Sequence, residues 1–272
     1  MEDKKTDLYN SEGMSQIKKV TAFIGSPRKE ATYQMVLEFE KDLRSYGEIH
    51  FEYVFLKDYH LEYCKGCKVC FEKGEEYCPS KDDWNLLYEK MNNSDGVIFA
   101  TPNYSFQVTA LMKNFLDRLA FGFHRPRFFA KTFTAIVTQG IFGGASIMKY
   151  LDNIGDNLGF HVVKGCCLRT LEPTTALQQK KTTQEIKKAS ARFYKKLMSP
   201  DLPTPSFFRL MMFRLARTSI KEILDEKYRD YSYYKEKGWF ESDYYYDASV
   251  GLVKKLAGVF FDFLGKGMVK YR

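Results

Sequence analysis

The chain has 272 residues, 28% of them charged and 16% aromatic, with only 18 Gly and 8 Pro. That is enough for one large domain with an extension and an apolar core of its own, and it excludes extended disorder and collagen-like repeats. The net charge of +8 is uneven: residues 180–272 hold 20 Lys and Arg against 11 Asp and Glu, a balance of +9, which leaves the first 179 residues at −1 and argues against a uniformly basic nucleic-acid binder. No apolar run approaches the roughly 18 residues of a membrane-spanning helix. The stretch from Met1 to Lys19 is polar and lacks the apolar segment of a signal peptide. A cytoplasmic protein is expected, whose six cysteines serve as thiols, metal ligands or redox groups rather than structural disulfides.

Residues 1–17 read as a flexible leader. The apolar run from Lys18 to Gly25 has a buried strand's signature and stops at Gly25 and Pro27. Ala31 to Tyr46 places Met35, Val36, Phe39 and Leu43 at helical spacing. Phe51, Tyr53 and Phe55 alternate as in a second strand. Val97 to Ala100 predicts a third, Gln107 to Phe121 a helix, Phe133 to Thr138 a fourth strand and Ser146 to Leu158 a helix. Phe160 to Val163 opens a fifth strand, and Thr183 to Met198 closes the series as a helix. Strands alternating with helices predict an α/β fold: a doubly wound, five-stranded parallel sheet covered on both faces. Ligands of such sheets sit beyond the carboxyl ends of the strands. The loops after strands one, three and four are therefore the places to look.

The first of these loops, Gly25 to Thr32, leads into a helix N-terminus, where free N–H groups and a partial positive charge suit a phosphate. Ser26 and Thr32 add hydroxyls and Arg28 adds charge, although neither a P-loop nor a three-glycine dinucleotide fingerprint is present. An ordinary capped helix with a surface arginine fits the loop equally well. The loop after strand three reads Thr101-Pro102-Asn103-Tyr104-Ser105-Phe106 and offers backbone amides beside aromatic faces, as a planar ligand needs.

These two loops, together with Leu111-Met112-Lys113-Asn114-Phe115-Leu116-Asp117-Arg118, resemble the NADPH-dependent FMN reductases of flavodoxin-like fold over residues 18–198. The resemblance implies that Ser26, Arg28 and Thr32 bind the FMN phosphate and that Pro102, Asn103, Tyr104, Ser105 and Phe106 line the flavin. Gln139, Gly140, Gly143 and Gly144 would approach the ring from the other side, where glycines let backbone come close. Lys29-Glu30-Ala31 is shorter than the family's usual stretch before the threonine. Residues 18–199 would form the FMN-binding domain, NAD(P)H would be the substrate, and the chain would assemble as a homodimer or homotetramer with a small-molecule or protein redox partner.

Cys64, Cys67 and Cys70 stand at intervals of three inside a cysteine-rich insertion, residues 57–81, and Cys78-Pro79 follows. Four thiols in so compact a loop suit a [4Fe-4S] cluster better than tetrahedral zinc, whose cysteine pairs lie farther apart. Zinc and free redox thiols stay open. The pattern resembles the iron–sulfur flavoproteins, and the insertion after strand two places it on the ligand-binding edge of the sheet. Lys65, Lys68 and Lys73 surround the thiols. Cys166-Cys167 reads as a pair of inert strand thiols, Asp82-Asp83 as a helix N-cap, and Arg127 as a candidate for an NADPH phosphate near the flavin. If the cysteines bind no metal and no nicotinamide is used, an FMN electron carrier or thiol sensor is the alternative to an enzyme.

Residues 200–272 form an aromatic, basic extension that opens with a proline-rich linker, Pro200 to Pro205. Helices are predicted around Phe207–Leu224 and Ser249–Met268. The apolar residues of the second, Val250, Val253, Leu256, Ala257, Phe260, Phe261 and Leu264, are expected to cover the core or a neighbouring subunit rather than a membrane surface.

Overall fold

The structure is a computed structural model and describes residues 17–199 and 201–270. The expected leader therefore lies, Ile17 apart, outside the described residues, as does Pro200 of the linker. The parallel strands are β1 (Lys18–Ile24), β2 (Ile49–Phe55), β3 (Gly96–Pro102), β4 (Thr132–Gln139), β5 (His161–Val162) and β6 (Cys166–Arg169). Their order is β2-β1-β3-β4-β5, with β6 also paired to β4. The single fifth strand of the sequence reading is thus two short segments on one neighbour: His161 pairs with Thr132, and Cys166 with Ile136.

Side chains on the pleat alternate, so a strand buried on both faces must be apolar at every position. Phe23, Val97, Phe99, Phe133 and Val137 point to one side. They meet helices α2 (Val69–Glu72), α3 (Trp84–Asn92), α4 (Ala110–Arg118), α5 (Phe121–His124) and α6 (Gly144–Asn157). Val20, Ala22, Ile24, Ile98, Ala100 and Ile136 point to the other, onto α1 (Ala31–Arg44) and α7 (Ala176–Leu197). The predicted helix Gln107–Phe121 is shorter because Thr109 caps α4, its hydroxyl accepting from the Met112 N–H at 3.2 Å.

The C-terminal region holds α8 (Phe207–Ile223), α9 (Arg229–Glu236) and α10 (Leu252–Lys270) around a small core of its own, with Leu210, Phe213, Tyr234, Trp239 and Tyr244 buried. It is keyed to the sheet domain by Phe129, whose ring packs on Trp239, Tyr245 and Tyr246. Asp230 adds contacts with Arg125 and His124, and the Tyr234 hydroxyl donates to the His124 carbonyl at 3.1 Å. Among the described residues no helix is long and apolar enough to cross a membrane.

Candidate functional site

Strand order reverses between β1 and β3, and the three loops beyond β1, β3 and β4 meet at that carboxyl edge. Thr109 ties the first loop to the start of α4, its hydroxyl donating to the Gly25 carbonyl at 2.6 Å. Ser26 Oγ folds the loop on itself, donating to the Arg28 carbonyl at 2.8 Å and accepting from the Arg28 N–H at 3.3 Å. Arg28 is exposed and pairs with Glu30 at 3.1 Å. Glu30 holds the N-cap position of α1 without a side-chain capping bond, so the first-turn N–H groups have no side-chain acceptor there. Thr32 is different: its hydroxyl is buried and shares a 2.7 Å hydrogen bond with Thr138 of β4. That bond joins helix to sheet.

Beyond β3, Pro102 is half-buried and Asn103 locks two loops together. Its backbone N–H donates to the Thr138 carbonyl at 2.7 Å, and its Nδ2 donates to the Phe142 carbonyl at 3.0 Å. Its Oδ1 is buried without a hydrogen-bond partner. A buried acceptor left unsatisfied is costly, and a ligand donor would relieve it. Tyr104 and Gln107 exchange backbone bonds of 3.0 Å across a tight turn whose tip, Ser105 and Phe106, is left-handed at φ 50° and 64°.

Beyond β4, Gln139 Oε1 accepts from the Gly144 N–H at 2.7 Å, which shapes the Gly140–Gly143 turn. Gly143 has φ +100°, and a Cβ there would lie 2.6 Å from Phe106 Cδ1 and 3.0 Å from Asn103 Nδ2. The rings of Phe106 and Phe142 face one another, tilted, at 5.5 Å. Tyr104, Phe106, Ile141 and Phe142 are all exposed, an apolar rim around the orphaned Asn103 oxygen. Thr109 and Thr138 were missing from the sequence candidates. The spacing of Thr109 to Met112 is the signal that could have revealed the first.

Cys64, Cys67, Cys70 and Cys78 all line one cavity of about 130 Å³, together with Phe71, Trp84 and Phe121. Arg118, at the end of α4, fastens the insertion on both sides of the cysteines. Its Nη1 donates to the Glu62 carbonyl at 3.2 Å, it pairs with the buried Asp82, and its Nη2 lies 3.6 Å from Cys78 Sγ. Burial pushes the Asp82 carboxyl up, but the Arg118 hydrogen bond and the Glu62 and Trp84 N–H groups outweigh it and hold it below the usual range. Asp82 is thus an ion-pair partner. Asp83 stands at the N-cap of α3 without a capping bond, and its carboxylate accepts from the His60 N–H at 2.8 Å instead.

Arg125 is fully buried and donates to the Cys70 carbonyl at 2.8 Å and to Glu75 at 2.7 Å, while its other arm reaches Asp230. Arg127 binds Glu75 at 2.5 Å and the Tyr88 hydroxyl at 3.0 Å. The His124-Arg125-Pro126-Arg127 segment therefore serves the cysteine loop and the extension, and Arg127 is spent there rather than beside the loops beyond β1, β3 and β4. Burial pushes the Cys70 thiol up to about 11, against the pull of Arg125 and with a push from Cys64 and Cys67 nearby.

The cavity flanks Asp117 and Arg118 at the C-terminal end of α4, whereas Thr109 at its other end touches the first loop. Nine residues separate those ends, about 13 Å of helix. The insertion was expected on the ligand-binding edge. It runs back along α4 instead, because Asn114 Nδ2 donates to the Leu61 carbonyl at 3.0 Å and Arg118 holds Glu62.

Cys64 and Cys67 are exposed, and Cys70 and Cys78 are half-buried. Among the described residues, no three His, Cys, Asp or Glu side chains are gathered closely enough to hold a metal ion. The donor set still fits an iron–sulfur group in its chemistry: four thiols, an apolar wall and a buried guanidinium border one space. On β6, burial drives the Cys166 thiol up to about 12, and Cys167 is raised for the same reason although it is only half-buried.

Comparison with known proteins gives the same direction. The family model for NADPH-dependent FMN reductases matches residues 18–170. An iron–sulfur flavoprotein of Archaeoglobus fulgidus is 29% identical over 235 residues, covering 81% of this chain and 99% of its own. An NADPH:quinone oxidoreductase of Arabidopsis thaliana is 29% identical, covering 53% of this chain and 70% of its own. The solved structure of an NAD(P)H:quinone oxidoreductase from Methanothermobacter marburgensis superposes with a TM-score of 0.51 at 17% identity, over 64% of this chain and 96% of that one, and so shares the fold.

Proposed function

The chain belongs to the NADPH-dependent FMN reductase family and is an oxidoreductase, and from that premise we propose that it holds FMN in the three loops and passes electrons from NAD(P)H to an acceptor by way of a four-cysteine iron–sulfur cluster. The observation that carries the flavin half is the convergence of those loops on the unpartnered Asn103 oxygen, within an exposed aromatic rim and beside the uncapped start of α1. FMN, when bound, supplies hydride and single-electron chemistry, and the protein has only to place it and tune its surroundings.

The residues divide the work. The first-turn N–H groups of α1, with Ser26 and Arg28, meet the phosphate; Thr32 supports them from behind through Thr138. Pro102, Asn103, Tyr104, Ser105 and Phe106 wrap one side of the ring, Asn103 supplying the acceptor it now leaves idle. Gln139 shapes the opposite loop so that Gly140, Gly143 and Gly144 bring backbone close. One phosphate-type loop without a dinucleotide fingerprint favours FMN over FAD.

Cys64, Cys67, Cys70 and Cys78 are the proposed cluster ligands. Arg118 and Lys65 and Lys68 at the cavity wall offset the negative charge that four thiolates bring. The exposed Cys64 and Cys67 would have to turn toward the half-buried Cys70 and Cys78 to close the set, with Phe71, Trp84 and Phe121 as the apolar wall of the space. The test is anaerobic purification, reconstitution with iron and sulfide, and analysis of iron, sulfide and extracted flavin. Four iron per chain is expected, with iron lost in each of C64A, C67A, C70A and C78A while FMN is retained. Absence of FMN overturns the flavin site, and failure of the unsubstituted protein to take up stoichiometric iron overturns the cluster. The exposure of Cys64 and Cys67 favours one second reading, in which the thiols pair on mild oxidation. An iron-free protein that forms a Cys64–Cys67 disulfide reversibly is its signature.

A further inference from the structure

Helix α10 is amphipathic in the wrong sense for a helix that packs in water. Its acidic residue faces inward: Asp262 accepts from Arg214 at 2.9 Å, from Arg217 at 2.6 Å and from the Thr218 hydroxyl at 3.0 Å, all on α8. The same inner face carries Gly258 and Gly265, where a Cβ would stand 3.0 Å from the Arg214 guanidinium and 3.0 Å from Thr218 Cβ. The two helices run parallel at this close approach, with Lys254 over the Phe207 ring at 5.7 Å at their start.

The outer face is apolar. Leu252, Val253, Leu256, Val259, Phe260 and Phe263 are exposed, Leu252 at 75% and Phe263 at 72%. They recur at intervals of three and four, and so form one stripe along the full helix. Phe207 of α8 and Met268 extend it. A stripe of this length left in water is unfavourable and marks a docking surface. The ion cluster explains why the helix does not roll over: turning the stripe inward would drag Asp262 from two arginines, leaving Arg214 with Asp243 and Arg217 with the Ser242 carbonyl alone.

Charge selects the occupant. The solvent side of α10 carries Lys255, Lys266 and Lys270 and no carboxylate, since Asp262 is turned away; Lys255 also reaches Asp243 of the preceding loop at 3.5 Å. Two copies of this face brought together would oppose their lysine rims. An apolar stripe of Leu and Phe bordered by lysines on one helix instead matches an anionic lipid surface, with the helix lying in the interfacial plane. We propose that α10 docks the protein on anionic membrane surfaces, its apolar stripe in the acyl boundary and its lysines among the headgroups.

The experiment is flotation of the full-length protein with vesicles of phosphatidylcholine alone and of phosphatidylcholine mixed with phosphatidylserine. Binding is expected only to the phosphatidylserine vesicles and should weaken with added salt. F260D/F263D should abolish it without changing the particle mass in light scattering. K255E, K266E and K270E should each weaken partitioning about fivefold or more, one lysine near such a surface being worth about that. These variants lie outside the flavin and cysteine loops, so retained circular dichroism shows that they fold. Failure to float with phosphatidylserine vesicles at low salt overturns the proposal. So does an oligomer that F260D/F263D dissociates, which assigns the stripe to a second copy.

Discussion

Replacing Arg118 by leucine isolates the joint that holds the cysteine loop. The guanidinium and Asp82 are almost wholly buried, with side chains 3% and 1% exposed. Removing one partner of such a pair costs about 3–5 kcal/mol. Asp82 keeps the N–H groups of Glu62 at 2.8 Å and Trp84 at 3.2 Å, which places the cost near the lower end, about 3 kcal/mol. That is roughly a hundredfold in local opening. Hydrogen exchange by mass spectrometry should show it as faster exchange over residues 60–84, with β1 and β4 unchanged. The pH dependence has a fixed sign. In the parent, the carboxyl is held below its usual range, so the pair stabilises above that range and the contribution is lost as pH falls through the lowered value. In Arg118→Leu, burial is left less opposed and the carboxyl rises. Protonation then removes the penalty, and the difference from the parent should shrink toward about pH 4, the ordinary aspartate range. R118L/D82N should recover part of the loss at neutral pH. Unchanged exchange over 60–84, or a deficit that grows in acid, refutes the assignment of Arg118 as the anchor.

Gly143→Ala forces a left-handed φ of +100° on an alanine and sets its Cβ against Phe106, so FMN affinity followed by fluorescence quenching should fall about tenfold or more with the fold intact. Unaltered affinity would remove the β4 loop from the site. In iron-free protein, thiol alkylation at neutral pH followed by mass mapping should label the exposed Cys64 and Cys67 first and leave Cys166 untouched until the protein is denatured. Labelling of Cys166 in the first phase would contradict its burial.

The alternation of apolar runs and helical stripes sufficed to show a doubly wound sheet, because a strand buried on both faces has no choice but to be apolar throughout, as Phe23 and Ile24 or Phe99 and Ala100 are. The loops after β1, β3 and β4 were legible for the same reason: Gly25 and Pro27, Pro102, and Gly140 interrupt the runs where the chain must turn. The spacing of the four cysteines was enough to place them around one volume. Side-chain pairing between distant segments was not legible. Thr32 spends its hydroxyl on Thr138, 106 residues away, and Asn103 reaches Phe142, so two of the residues read as ligand contacts are also joints, one of helix to sheet and one of loop to loop. Arg118 stood in the sequence only as the end of a family motif, nothing there marked the partners of Arg118 or Arg125, and only the packed fold buries them against Glu62, Cys70 and Asp230. Only Val253, Leu256 and Phe260 of the expected apolar stripe belong to the one on α10, and they are exposed rather than laid on the core, whereas Val250 is buried ahead of the helix. Periodicity tells which residues share a face, whereas the pairing of Asp262 with Arg214 and Arg217 decides which face turns inward.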